Sequence, residues 1–176
     1  KYFNVSPYAN QNYFYYNGVV YFIDDLMITM DYSIELHQHA NLVSFYALPE
    51  NDSVNVVMQS IMPALSDIIG AGEASSYSPE LDMWIGSLTN LDVSEGYWLR
   101  MDSNATLEDS GFPYHINRVY DLHVGPNLVS FPSKGSFEIS AALPDDIEMH
   151  IGAILGEGTV ALNMGDFWVG SLTTLN

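Results

Sequence analysis

The pentapeptide NLVSF occurs twice in this chain, at residues 41–45 and 127–131. Each copy follows a Leu-His pair, Leu36-His37 and Leu122-His123. Two more segments recur in the same order. IGAG at 69–72 matches LGEG at 155–158, and MWIGSLTNL at 83–91 matches FWVGSLTTL at 167–175. The copies stand 86 residues apart through the glycine pair and 84 apart at the tryptophans, so one two-residue gap before Trp168 aligns them. Ordered matches at three places with one small gap read as an internal duplication. A duplicated sequence folds as two copies of one unit, and no other feature restricts the fold as much.

Each copy reads the same way. LVSF is an apolar run after a turn (Ala40-Asn41, or Gly125-Pro126-Asn127), the pattern of a buried strand. In the first copy Ser53 can cap a helix bearing Val54, Val57, Met58 and Ile61 at helical spacing, with Pro63 at its end. In the second, Ser136 takes that part before Phe137, Ile139, Ala142 and Leu143, stopping near Pro144. The Gly-x-Gly and Trp-x-Gly-Ser-Leu segments read as short strands joined by tight turns, and GYWLRMD at 96–102 as another strand. The sequence therefore predicts a mainly β (α+β) chain of two homologous β-rich units, each with one short helix, related by pseudo-twofold duplication. Trp84, Trp98 and Trp168 stand at repeat-equivalent places and are expected to plug the unit cores.

The organisation that follows is a Tyr-rich segment at 1–34, unit one at 35–111 and unit two at 112–176. Unit two stops at Asn176, directly after GSLTTL, without a counterpart of the GYW strand. Residues 18–30 resemble that strand, since 17–37 and 95–123 share a turn glycine, an aromatic-aliphatic run, acidic residues and a closing Leu-His. Residues 18–30 then complete unit two, in their own chain or in a neighbour. The competing reading is a self-contained hairpin, YFYYNGVVYF, turning at Asn17-Gly18.

Taken in order, these motifs resemble a repeat module of large secreted proteins from marine and environmental bacteria. The matching positions are 36–37, 41–45, 48–49, 53–54, 70–72, 84–88 and 96–98, then 122–123, 127–132, 156–158 and 168–172. The resemblance covers about residues 34–176 and leaves the Tyr-rich start outside. It implies an extracellular or cell-surface setting beside sorting tags, enzymes and adhesive domains, and it implies no catalytic residues.

Charge narrows the partners. Four Lys+Arg against 22 Asp+Glu give a net charge of −18, which repels phosphate backbones and anionic membranes. Nucleic acid is therefore not expected as a partner. The balance suits high salt, divalent cations or a basic partner, and its plain reading is solubility in a saline medium. Cysteine is absent, which excludes disulfides and thiolate chemistry. No apolar run approaches the ~20 residues that span a bilayer, so no membrane insertion is expected. The first residue, Lys1, follows no basic-then-apolar leader, so any secretion signal is expected outside these residues. Sequons stand at Asn4, Asn51 and Asn104, and matter only in a source that glycosylates.

Candidate chemistry is sparse. His37 and His39 alternate, so on a strand they would share a face and could ligate a metal, although unit two offers only His123. Asp102, Asn104, Thr106 and Glu108 place oxygens at alternate positions, a spacing that can wrap calcium, yet without the glycine and bidentate acid of a full calcium loop. A solvated acidic turn is the plain reading, and calcium is the one cofactor left open. The Gly-x-Gly turns are neither a P-loop nor a dinucleotide fingerprint, and no nucleophile elbow or zinc-protease helix occurs. Half of the twelve tyrosines lie in the first 22 residues. Among them Tyr13, Tyr15, Tyr16 and Tyr21 are candidates for stacking on sugar or protein, against simple cross-strand packing.

The sequence thus predicts a non-catalytic structural or assembly module, self-associating by strand addition into a filament. Its expected partners are copies of itself or neighbouring modules of a larger secreted protein. The alternative is a carbohydrate-binding accessory module of a secreted hydrolase, with polysaccharide as partner.

Overall fold

A computed structural model describes residues 2–4, 12–16, 19–23, 29–113, 119–131 and 135–175. Strands β1 (Tyr2–Asn4), β2 (Asn12–Tyr16) and β3 (Val19–Ile23) form an antiparallel sheet in that order. Unit one then runs through β4 (Met30–Leu36), β5 (His39–Ser44), β6 (Ala47–Leu48), α1 (Val54–Val57) and a 3-10 turn at Gln59–Ile61. It continues with β7 (Leu65–Ile69), β8 (Ala74–Ser78), β9 (Met83–Gly86), β10 (Gly96–Met101) and β11 (Ala105–Pro113). Unit two holds β12 (Phe137–Glu138), α2 (Ile139–Ala142), α3 (Asp145–Glu148), β13 (Ala153–Gly156), β14 (Thr159–Asn163), β15 (Trp168–Gly170) and β16 (Thr174–Leu175). The chain is mainly β, with several antiparallel sheets and short helices. Its helical stretches are each split into two short turns rather than forming one helix per unit. No helix among the described residues is long and apolar enough to cross a membrane.

Unit one packs a five-stranded sheet, β5-β10-β7-β8-β9, with a three-stranded one, β4-β11-β6, around one core. Strand β10 lies second in the larger sheet, and its period-2 alternation sends Tyr97, Leu99 and Met101 inward and Arg100 outward. Those three meet Val43 and Phe45 from β5, Leu65 and Ile68 from β7, and Val54, Val57 and Met58 from the helical segment. Twenty of the 22 buried apolar side chains among the described residues lie between Tyr32 and Leu107, so the main core belongs to unit one alone.

The two units share registers. Ile69 pairs with Ala74 and Leu155 with Val160; Tyr77 pairs with Trp84 and Asn163 with Trp168. The Ala74 N–H donates to Ser87 Oγ at 3.3 Å, and the Val160 N–H donates to Ser171 Oγ at 3.2 Å. Gly86 and Gly170 fill the same place for the same reason. A Cβ on Gly86 would sit 2.1 Å from the Ala74 carbonyl oxygen, and one on Gly170 would sit 1.9 Å from that of Val160. Only glycine lets these strands close so tightly.

Three expectations need correction. The helix starts are not serine-capped: Ser53 makes no side-chain cap bond, and α2 begins after Glu138 rather than Ser136. A backbone carbonyl serves instead. Val54 donates to Thr89 O and Ile139 to Thr173 O, at 3.0 and 3.3 Å, so the GSLT segment holds each first helical N–H. The tryptophans do not plug cores. Trp84 and Trp168 are half-buried because β9 and β15 are sheet edges, and Trp98 is half-buried because it alternates with inward-facing Tyr97 and Leu99. Lastly, residues 127–131 form no strand, only an isolated bridge between Val129 and Glu95.

Within residues 18–30, β3 pairs antiparallel with β2, from Tyr16 opposite Val19 to Asn12 opposite Ile23. Met30 opens β4, which pairs with β11 of unit one. The pairing of this stretch follows the hairpin reading, and among the described residues none of it lies on unit two.

Candidate functional site

The two units meet at the outer edge of β5. An edge strand leaves every second N–H and C=O without a ladder partner, and such edges are capped or else recruit other strands. Here the Glu157 carboxylate, at the tip of the Gly156–Gly158 turn, accepts from the Leu42 N–H at 3.0 Å through Oε2. Its Oε1 lies 2.5 Å from His37 Nε2. Two residues along the edge, Ser44 Oγ accepts from the Phe131 N–H at 3.4 Å.

Capping runs in both directions. The Ser130 N–H donates to Ser94 O at 3.0 Å, the Gly96 N–H donates to Leu128 O at 3.4 Å, and Ser130 Oγ donates to Val93 O. The stretch of unit one that leads into β10 thus covers the outward edge of residues 128–130. A Cβ on Gly96 would come within 3.1 Å of Leu128 Cδ1 and of Val129 O, so a glycine keeps this approach open.

The Leu-His turns that flank each NLVSF are built alike. The His37 N–H donates to Asn41 Oδ1 at 2.9 Å, and Asn41 Nδ2 donates back to His37 O at 2.8 Å. In unit two the His123 N–H donates to Asn127 Oδ1 at 3.0 Å, and Asn127 Nδ2 returns to His123 O at 2.8 Å. The turn needs a left-handed residue, His39 with φ 84° in one and Gly125 with φ 107° in the other.

His37 has an acceptor at each ring nitrogen: Gln38 O, 2.7 Å from Nδ1, and the Glu157 carboxylate at Nε2. Only imidazolium donates at both positions, so these contacts favour the charged form. The Gln38 carbonyl raises the His37 pKa most, and the Glu157 carboxylate adds to the rise. The His37 side chain is 58% exposed, so water and salt screen the ion pair. The contact positions the units more than it stabilises them.

The residues singled out from sequence fall as follows. His37 and His39 do not share a strand face as a metal pair. His37 lies in the turn before β5, bound to Glu157, and His39 takes the left-handed position. Asp102 and Asn104 bracket the β10–β11 turn, where Asp102 O and Asn104 Oδ1 accept from Gln38. Thr106 and Glu108 continue on extended β11, roughly 7 Å apart at strand rise. The Thr106 hydroxyl donates to Glu35 at 3.1 Å. These four residues do not form a loop wrapped round one point, and the described residues contain no group of three His, Cys, Asp or Glu able to hold a metal. Glu35, Leu36, His37, Asn104, Ala105 and Thr106 do line a shallow, open depression beside the His37 contact. Tyr13, Tyr15 and Tyr16 lie on β2 and Tyr21 on β3, where Phe14 pairs with Tyr21 and Tyr15 with Val20; their side chains lie outside the description.

Sequence reasoning missed Glu157, and one signal could have found it. The otherwise matched turns differ at their tips, Ala71 in unit one against Glu157 in unit two. No protein-family model, curated protein or solved structure matches the chain.

Proposed function

We propose that this chain is a non-catalytic structural module of an extracellular or cell-surface assembly, in which repeat units stand in series and each caps its neighbour's sheet edge. The observation that carries this reading is the reciprocal junction, with Glu157 on β5 and residues 93–96 on residues 128–130. A catalytic site brings together groups poised to move protons or electrons; here the convergent polar groups are consumed in holding backbone edges. The formal charge of −18 keeps such a module soluble outside its specific contacts. Where a strand passes between chains, the same series extends head to tail as a filament.

The test is to uncap the β5 edge. In a chain carrying both Glu157→Gln and Ser130→Ala, amide exchange at Leu42 should accelerate, and light scattering should show self-association through the bared edge. A double variant that keeps Leu42 protected and stays at the parent's mass would refute the capping role.

A further inference from the structure

We propose that unit two carries an acceptor slot for one more antiparallel β-strand, between residues 127–131 and β13. Its occupant has the pattern Gly-Tyr-x-Leu-x-Met and enters from the end of β16. This rests on reading the two units as equivalent, and it adds the identity and register of what the second unit takes.

In unit one this place is filled by β10, which pairs with β5 on one side and β7 on the other. Unit two has both flanks and no strand between them among the described residues. The flanks are aimed for one. In β5 the Leu42 N–H points outward to Glu157, so the alternate residues, including Val43, face β10. In unit two Leu128 O and Ser130 N are likewise spent outward on unit one, which leaves the backbone of Val129 facing the slot. On the other flank, β13 pairs only with β14.

The apolar lining is left half covered. Val43 is 7% exposed beside β10, whereas its counterpart Val129 is 46% exposed. Ile68 and Leu65 are buried, whereas Ile154 and Ile151 at the matching positions are only half-buried. What unit two lacks is the inward trio of β10, Tyr97, Leu99 and Met101, each at most 2% exposed. An occupant with apolar side chains at those alternate positions restores the missing packing. The pairs Trp98–Ile69 and Leu99–Ile68 place its fourth and third pattern residues opposite Ile154 and Leu155. Arg100 pairs with Asp67 in unit one at 2.5 Å, but Ala153 replaces that acid in unit two, so the fifth position needs no cation.

The route of entry is set by β16. Glu138 pairs with Thr174 as Ser53 bridges to Asn90, so Leu175 corresponds to Leu91, five residues before Gly96. A strand tethered past Leu175 therefore reaches the slot over the same short span that β10 uses.

The experiment appends VSEGYWLRMD after Asn176 and reads amide exchange residue by residue. The expected result is exchange slowed about tenfold or more at Val129 and along Ala153–Gly156, since these amides become central in a sheet. A control tail with Ser at the Tyr, Leu and Met positions should give no protection. Unchanged exchange with the native-pattern tail overturns the slot, and equal protection by the Ser tail overturns its pattern. The same ten residues as a free peptide form the other arm. If the peptide protects these amides while the tail does not, entry from β16 is wrong and the strand comes from another chain. None of these outcomes alters exchange at Leu42, so the capping role of the junction stands or falls separately.

Discussion

Residues 41–45 and 127–131 are identical, yet the first is a strand in the core and the second is a covered edge without a ladder. Phe45 is 1% exposed, while Phe131 is half-buried against Phe137, with ring centroids 5.7 Å apart. Local propensity cannot separate two copies of one pentapeptide. The difference lies in the neighbour, because Val43 has Tyr97 across from it and Val129 has only the single bridge to Glu95. Strand formation here is a property of a pair, and most of the stability of a β-strand comes from what packs beside it.

The comparison breaks most readily at the two phenylalanines. Phe45→Ala should cost about 3–5 kcal/mol, because it empties a fully buried site among Tyr32, Tyr97 and the helical segment. Phe131→Ala should cost about 1 kcal/mol, since roughly half of its surface already meets water. Denaturant melts of the two variants measure both. Equal costs would mean that unit two has a core as complete as that of unit one.

How much of this was legible in the sequence follows from the same asymmetry. The β class and the matched hairpins could be read because Gly86 and Gly170, Ser87 and Ser171, and the paired tryptophans act through contacts within a few strands. The helix caps could not, because the acceptors for Val54 and Ile139 are carbonyls some 35 residues away, at Thr89 and Thr173. Tryptophan burial was misjudged because equivalence in a repeat fixes position in the sheet, not depth, and β9 and β15 are edges. The junction was illegible for a related reason. Glu157 looks like any of 22 acids until the fold sets it against the free N–H of Leu42, 115 residues upstream.

A smaller difference sharpens the comparison at the shared turns. Asn41 and Asn127 make the same bonds to the backbone of their Leu-His turns, but Asn41 is 3% exposed and Asn127 is half-buried. Asn41→Ala strands backbone groups away from water and should cost about 2 kcal/mol. At Asn127 water replaces part of what is lost, so Asn127→Ala should cost about 1 kcal/mol or less. Thermal melts of the pair, read beside those of the phenylalanines, should preserve the order of the two units.

The smallest expected effect is the one that separates the two histidines, since Glu157 reaches His37 and nothing described bears a carboxylate on His123. The His37 pKa is raised above its ordinary 6.5, first by the Gln38 carbonyl and then by Glu157. A raised value means that the folded state holds the proton more tightly than the unfolded chain. The favourable contribution is therefore complete below pH 6.5 and fades as the pH climbs through the raised value. Exchange at the Leu42 amide, corrected for intrinsic base catalysis, should be slowest at the acid end of that window and rise severalfold above it. Glu157→Gln should flatten the dependence and lower the His37 titration midpoint without returning it to 6.5, because Gln38 still accepts at Nδ1. Proton NMR of the His37 ring gives the midpoint directly. A midpoint unmoved by the substitution would show that Glu157 holds the Leu42 N–H alone, and that the histidine takes no part in joining the units.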